Sequence, residues 1–322
     1  MPYLISKYKG NKWNKNKHLE TIIPALFRKI PIKYTRERLE LDDGDFIDLD
    51  WKFKNNNKKL LILFHGLEGS SNSQYIKGFA KHFYQNNFNI CAVNFRSCSG
   101  ENNRLLSSYH MGKSDDVNLI IEYVLNNKNY TSIVLGGFSL GGNVLLKYLG
   151  EQSFNLNKVI TSAFAFSVPI DLDSSSKVLS KNWNKPYMIR FLKTLNKKMI
   201  TKSIQFPGVI DITGINKINN FHEWDTRFTA KTNGFIDAKD YYNKSNSLQF
   251  LHQIKIPTLL INALNDPFLS EKCYPIELAK KHKFLYLETP KHGGHVGFLM
   301  NEINGIYYSE MRALEFVSGF IK

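Results

Sequence analysis

The feature that most constrains the fold is the alternation of short apolar strand patterns with amphipathic helix patterns in the first half of the chain. The segment 58–71 opens with a continuous apolar run, typical of a strand buried on both faces of a parallel sheet, and a helix pattern follows near 73–86. A strand pattern at 88–100 precedes a helix pattern at 113–127, whose first turn holds acidic residues where the helix dipole favours them. This alternation predicts an α/β fold with a doubly wound, mostly parallel sheet.

The alternation stops from about 169 to 250, where helical and loop patterns rich in aromatic residues and lysine replace it. It resumes with strand, helix, strand and helix patterns, in that order, at 256–267, 271–282, 283–290 and 305–321. Ahead of the sheet, residues 36–53 predict two strands joined by an Asp-Gly turn. We therefore expect a single domain over residues 1–322, with a helical cap insertion at about 169–250 and an N-terminal arm at about 1–35.

The net charge of +15 would suit a nucleic-acid or anionic-membrane partner. Only eight of the basic residues are arginine, and asparagine and isoleucine are also abundant, which indicates a compositional bias towards lysine. Phosphate recognition favours arginine because its planar fork matches the oxygens. We expect no nucleic-acid partner, and the basic stretch at 7–18 of the arm is the candidate for weak contact with an anionic membrane surface.

The sequence carries no signal for membrane insertion, secretion or metal binding. No apolar run approaches the ~18 residues that a membrane helix needs, and the N-terminus lacks the apolar core of a secretory signal. The three cysteines, Cys91, Cys98 and Cys273, form no Cys-x-x-Cys pair. We expect a soluble cytoplasmic protein without a disulfide framework, a metal or an organic cofactor.

One short stretch, "IVLGGFSLGGNVLLKYLG", places a serine between glycines where a strand pattern becomes a helix pattern. Gly137, Ser139 and Gly141 match the Gly-x-Ser-x-Gly pattern of a nucleophile elbow. The glycines are needed because the backbone of the serine is strained and a Cβ on its neighbours would clash. An ordinary tight turn is the alternative interpretation, but the strand before and the helix after favour the elbow.

A serine nucleophile needs a base within hydrogen-bonding reach and a carboxylate to orient that base. On this type of fold the three residues follow in the order serine, acid, histidine, and the last two lie in loops after late strands. Asp266 comes directly after such a strand and before Pro267, so it is the favoured acid, with a structural Asp-Pro turn as its other interpretation. Asp237 and Asp240 are alternatives within the insertion.

His292 and His295 both follow the strand pattern at 283–290, and either could be the base. We favour His295 because Gly293 and Gly294 would let the loop present its imidazole to a cleft. The spacing of the two histidines is too common to indicate a metal site, since no carboxylate or third histidine lies near them in the sequence.

The transition state also needs donors for the carbonyl oxygen, and backbone N–H groups normally supply them. We expect one from Leu140, the residue after the nucleophile, and the other from Leu67 in the loop after an early strand. His65 and Gly66 would shape that loop, with His65 as a buried turn residue rather than a catalytic one.

These residues belong to a longer series of ordered matches: "HLETIIPALFR", "DGDFIDLDW", "FHGLEGSSNSQY", "NFRSCSGENNR", "YHMGKSDD", "GGFSLGGN", "GFIDAKDYY", "IPTLLINALNDPF" and "HGGHVGF". Through them nearly the whole chain resembles the YheT-like hydrolases of the α/β-hydrolase superfamily, relatives of the abhydrolase-domain esterases and lipases. The resemblance implies an α/β-hydrolase fold with Ser139, Asp266 and His295 at the charge-relay positions. Two positions depart from the pattern: Ser97 stands where the family usually has glycine, and Asn265 replaces a common aspartate.

The function that these observations predict is a serine hydrolase that cleaves carboxylic esters, with short, medium or lipid chains, through an acyl-enzyme on Ser139. An acyltransferase that uses the same three residues is one alternative, and a non-catalytic protein that binds a membrane surface is another. The aromatic residues of the insertion either line an acyl pocket or form the core of the cap. Arg96 and Arg104 either clamp an acidic substrate or pair with the acids of 113–127, and we favour the second role.

Overall fold

The computed structural model describes residues 3–10, 15–54 and 56–321. The strands within those ranges are β1 (Tyr3–Leu4), β2 (Thr35–Glu40), β3 (Phe46–Lys52), β4 (Lys59–Phe64), β5 (Asn89–Asn94), β6 (Ser132–Phe138), β7 (Ile160–Phe166), β8 (Thr258–Ile261) and β9 (Leu285–Glu288). They form one sheet in the order β1-β9-β8-β7-β6-β4-β5-β3-β2. Only the pairings of β3, with β2 and with β5, are antiparallel. The predicted α/β fold with a mostly parallel sheet is confirmed.

Helices cover both faces of the sheet. They are α1 (Lys17–Phe27), α2 (Gln74–Gln85), α3 (Ser114–Asn127), α4 (Leu140–Gln152), α5 (Leu172–Leu179), α6 (Lys185–Gln205), α7 (Phe221–Trp224), α8 (Ala230–Thr232), α9 (Ala238–Ser245), α10 (Ile276–Lys281) and α11 (Tyr308–Ser318). Helices α2 and α11 share one apolar core with the sheet, and α3, α4 and α10 share the other. The apolar runs of β4 and β6 are buried because both faces are covered.

The chain between β7 and β8, residues 167–257, holds α5 to α9, and we call it the cap segment. Its longest helix, α6, contributes Met188, Leu192, Leu195 and Met199 to a small apolar core of its own. At the start of the chain, β1 pairs with β9 and α1 follows. Residues 11–14 of the predicted basic arm lie outside the described residues. Within the described ranges, every helix is either too short or too polar to cross a lipid bilayer.

A buried arginine ties the β2–β3 hairpin to helix α3. The Arg96 guanidinium donates to both carboxylate oxygens of Asp116 at 2.9 and 2.7 Å, and to Asp43 and Asp45 at 2.7 and 3.1 Å. The favoured pairing with the acids of 113–127 is therefore found for Arg96. For Arg104 the predicted pairing is wrong. The main-chain N–H of Arg104 donates to the Asp45 carboxylate, and this places the Arg104 guanidinium over the hairpin, where it donates to the Glu40 carboxylate at 2.5 and 3.0 Å.

Replacing Arg96 with methionine is expected to lower the free energy of unfolding by about 3–5 kcal/mol, because it leaves buried carboxylates without their cation. Urea denaturation measures this loss. Arg104→Met is the matched control, since the Arg104–Glu40 pair is exposed and such pairs contribute little. Equal losses in the two variants would contradict the role assigned to Arg96.

Candidate active site

The elbow at Ser139 is a sharp turn between β6 and α4. Ser139 has φ 50° and ψ −118°, a conformation that costs free energy for a residue with a side chain. A Cβ added to Gly141 would lie 2.4 Å from the His65 carbonyl oxygen, and one added to Gly137 would lie 2.7 Å from the Gly142 Cα. Glycine is therefore required on both sides of the serine by direct backbone contact.

Ser139, His295 and Asp266 form one hydrogen-bonded chain in the structure. The distance from His295 Nε2 to Ser139 Oγ is 3.0 Å, and His295 Nδ1 lies 2.9 and 3.1 Å from the two carboxylate oxygens of Asp266. Because a carboxylate only accepts, Nδ1 carries the proton and Nε2 is free to accept from the serine hydroxyl. The alternative acids are engaged elsewhere: Asp237 caps α9, and Asp240 pairs with Lys244.

Strand ends position the predicted acid and the predicted base, since Asp266 follows β8 and His295 follows β9. The Asp266 side chain is fully buried, and one of its oxygens accepts from the Phe268 amide at 2.9 Å. The Phe268 ring lies 4.1 Å from the His295 ring, centroid to centroid. The imidazole is thus held between a buried carboxylate and an aromatic face.

Residues 293–296, which we call the histidine loop, are anchored through their main chain. Each of the four consecutive N–H groups donates to a side-chain oxygen outside the loop. The acceptors, in order, are Glu20 Oε2 at 3.2 Å, Asn265 Oδ1 at 3.1 Å, Thr21 Oγ1 at 2.9 Å and Ser167 Oγ at 2.9 Å. The loop conformation is therefore set by residues distant in sequence.

Two of these acceptors lie on α1, in the segment that the sequence analysis treated only as an arm. Glu20 is completely buried, and it also accepts from the Asn265 amide at 2.6 Å. A Cβ on Gly297 would lie 2.1 Å from the Glu20 carbonyl oxygen, so the helix and the loop are in backbone contact. The glycines around His295 were the one signal in the sequence for this contact, because glycine is needed where another segment of backbone approaches closely.

Replacing Thr21 with valine is expected to lower kcat about tenfold with KM little changed, because the His295 amide loses its acceptor and the imidazole its fixed position. Steady-state kinetics on a soluble ester measure both constants. Thr21→Ser should restore kcat. The control is Thr201→Val, which removes the same helix-backbone hydrogen bond on α6; a similar loss there would show a general effect of the substitution.

The two predicted oxyanion donors both border the cavity next to Ser139. Among the described residues, neither the Leu67 nor the Leu140 N–H has a hydrogen-bond acceptor. Leu140 is the first residue of α4, where the helix leaves its N–H groups free. The loop that carries Leu67 is fixed by Tyr75, whose hydroxyl accepts from the Gly66 amide at 2.9 Å.

His65 is a buried structural residue, as the sequence analysis expected. Its Nδ1 donates to the Gly66 carbonyl at 2.7 Å, and its Nε2 accepts from the Phe95 amide at 3.2 Å. Burial lowers the pKa of His65 to about 4, so the ring is neutral at physiological pH. Both nitrogens are used to join the Leu67 loop to the end of β5.

Ser97, the first departure from the family pattern, has φ 64° and borders the same cavity. Glycine is the usual residue at such a backbone conformation. The Ser97 hydroxyl stabilises this backbone conformation by donating to Asn103 Oδ1 at 2.5 Å and accepting from the main-chain N–H of Asn103 at 3.0 Å. The loop keeps its course with a side chain in place of the glycine.

The cavity beside Ser139 and His295 has a volume of about 100 Å³ and lies between the cap segment and the sheet edge. Much of its wall is apolar, including Leu179, Phe191, Leu195, Met199, Phe221 and Trp224. Phe221 and Trp224 line the cavity and also belong to the core of the cap, so the two interpretations of the cap aromatics do not exclude each other. Trp183, by contrast, is 75% exposed.

Comparison with known proteins gives the same fold. A family described by its alpha/beta hydrolase fold matches residues 59–201. The chain is 34% identical over 291 residues to an Escherichia coli (strain K12) protein named "Putative esterase YheT". The alignment covers 88% of this chain and 84% of that protein. It is 28% identical over 309 residues to "Phospholipase ABHD3" of Mus musculus, across 92% of this chain and 74% of that protein.

Solved structures share the architecture at low sequence identity. The Pyrococcus furiosus esterase Pf2001 has a TM-score of 0.60 at 17% identity, covering 92% of this chain and 96% of that one. Est1E from Butyrivibrio proteoclasticus, solved with ferulic acid, has a TM-score of 0.56 at 15% identity, covering 89% of this chain and 100% of that one. At these identities the likeness establishes the fold.

Proposed function

The chain belongs to the YheT-like hydrolases of the α/β-hydrolase superfamily, and from that premise we propose that it cleaves carboxylic esters through an acyl-enzyme on Ser139. The observation that supports the proposal most is the hydrogen-bonded chain from Ser139 through His295 to Asp266. A serine hydroxyl is a poor nucleophile unless a base removes its proton. In this hydrogen-bonded series, His295 is the base and Asp266 is the carboxylate that orients it.

In the proposed reaction, Ser139 Oγ attacks the ester carbonyl carbon while His295 Nε2 takes the hydroxyl proton. The N–H groups of Leu67 and Leu140 donate to the oxygen that becomes negatively charged. Asp266 stabilises the imidazolium, which gives its proton to the departing alcohol oxygen as the C–O bond breaks. Water then attacks the acyl-enzyme with His295 as base, and the carboxylic acid leaves Ser139 free.

The shape and lining of the cavity support an ester with an apolar portion. Leu179, Phe191, Leu195, Met199, Phe221 and Trp224 give the cap side of the cavity a largely apolar lining, which suits an apolar chain. The name of the mouse relative refers to a phospholipid substrate, and the apolar wall here suits a short acyl chain or part of a longer lipid ester.

A series of p-nitrophenyl esters of increasing acyl length tests the proposal. We expect hydrolysis by the purified protein, with a preference for short to medium chains. Product analysis in the presence of competing alcohols separates hydrolysis from acyl transfer, because transfer yields a new ester and hydrolysis yields the acid. Absence of turnover with every ester, together with liposome binding that Ser139→Ala leaves intact, would favour the non-catalytic alternative.

A further inference from the structure

Two lysines one turn apart on α6 line the cavity beside Ser139, and they differ in their partners. Lys198 Nζ is neutralised by Glu68 at 2.7 Å and also lies 3.4 Å from Cys98 Sγ. Lys202 Nζ donates to the main-chain carbonyl of Leu105, a neutral group. Among the described residues, no carboxylate lies within the 4.0 Å of Lys202 Nζ that defines an ion pair.

The charges nearest to Lys202 do not compensate it. Asp45 attracts the ammonium and Arg96 repels it. The Asp45 carboxylate is already bound by Arg96 at 3.1 Å, the Asn103 amide at 2.6 Å and the main-chain N–H of Arg104 at 2.9 Å. Lys198, one turn away, is paired with Glu68 and leaves no carboxylate for Lys202. Lys202 is therefore a cation without a dedicated anion.

This cation is also withdrawn from solvent, since Lys202 is only 3% exposed. A buried ammonium costs free energy unless it is paired and fully hydrogen-bonded. Desolvation lowers the pKa of Lys202 to about 8, so the group is still largely protonated at neutral pH. With one acceptor for three donor hydrogens, the ammonium has capacity for an additional oxygen, and Lys202 is one of the residues that line the cavity.

Building on the proposed function, we propose that the cavity selects esters carrying an anionic oxygen group, carboxylate or phosphate, which binds Lys202 while the ester carbonyl lies at Ser139. Lys198 contacts Glu68, the neighbour of the oxyanion residue Leu67, and Lys202 is one helical turn, about 6 Å, further along α6. Because Ser139 and Lys202 line the same cavity, one ester molecule can place its carbonyl at Ser139 and its anionic group at Lys202.

Two matched ester pairs test this proposal. The first is p-nitrophenyl hydrogen adipate against p-nitrophenyl hexanoate, which places a carboxylate on the acyl side. The second is hexanoylglycerol phosphate against hexanoylglycerol, which places a phosphate on the alcohol side. For each pair, the ratio of kcat/KM for the anionic ester to that for the neutral ester is measured in wild type, Lys202→Met, Lys202→Gln and Lys197→Met. Lys197 is exposed on the same helix and serves as the control.

In at least one pair we expect a ratio above one in wild type that falls tenfold or more in both Lys202 variants and is kept in Lys197→Met. The affected pair identifies the anion. If wild type hydrolyses the esters but neither ratio responds to Lys202, the inference is wrong and the proposed function stands. If wild type hydrolyses none of them, the proposed function itself fails.

The pH dependence of the same ratio provides a second readout. Lys202 loses its proton as the pH rises through about 8, so the preference for the anionic ester is expected to decline between about pH 7 and 9.5. Both anions are ionised throughout that range, and taking a ratio removes every pH effect that is common to the two esters. A ratio equally pH-dependent in wild type and Lys202→Met would contradict the assignment to Lys202.

Discussion

Replacing Ser139 with alanine is expected to abolish labelling by a fluorophosphonate probe and to lower ester turnover by about 10⁴- to 10⁶-fold. The probe phosphonylates an activated serine, and Ser139 is the serine whose hydroxyl lies 3.0 Å from an imidazole nitrogen that can accept its proton. The residual rate would come from binding and from the predicted oxyanion donors, whose main-chain N–H groups the substitution leaves in place. Gel detection of the label and rate measurements on a p-nitrophenyl ester check the two parts separately.

Ser108→Ala is the control for this experiment, because Ser108 lines the same cavity and no histidine in the described part of the chain is hydrogen-bonded to its hydroxyl. It should label and turn over substrate as wild type does. Equal labelling of Ser139→Ala and wild type would mean that another residue is the nucleophile.

Replacing His295 with alanine is expected to lower turnover by about 10⁴- to 10⁶-fold as well, because the serine then has no base and the leaving alcohol no acid. The loss should appear in kcat, since the imidazole moves protons rather than holding the ester. Circular dichroism and thermal melting of the variant establish that the protein is folded when its rate is measured.

His292→Ala is the matched control, three residues away on the same chain segment. The His292 side chain packs next to Gly10, where an added Cβ would lie 3.1 Å from the His292 Cβ. Its removal should change turnover little. The opposite ranking of the two histidine variants would show that the base has been assigned to the wrong residue.

The sheet and the positions of Ser139, Asp266 and His295 could be predicted because each follows from local pattern and topology. Apolar runs specify buried strands, and parallel strands bring their carboxyl ends to one edge. The sequence analysis therefore expected loops after β6, β8 and β9 to meet, and their side chains are in contact in the structure. The catalytic roles of the three residues stay predictions that the variants above test.

The supports of the site could not be predicted in the same way. Glu20 and Thr21 act on a loop more than 270 residues away, and neither periodicity nor motif spacing reports such a contact. The incorrect partner of Arg104 has the same cause, since its position depends on how Asn103 and Asp45 fix the turn over the hairpin. The sequence does not distinguish Lys202 from the other lysines, and only the structure shows that it lines the cavity.

The anchoring of the histidine loop has a consequence for the order of folding. Its four acceptors come from three separate regions of the chain, and the contacts with α1 span 273 and 274 residues. Closing such long loops is entropically slow, so these contacts form late, after the sheet has brought both chain ends together. An intermediate with a complete sheet and a formed elbow would still lack a correctly held imidazole, and recovery of activity during refolding should lag behind recovery of secondary structure.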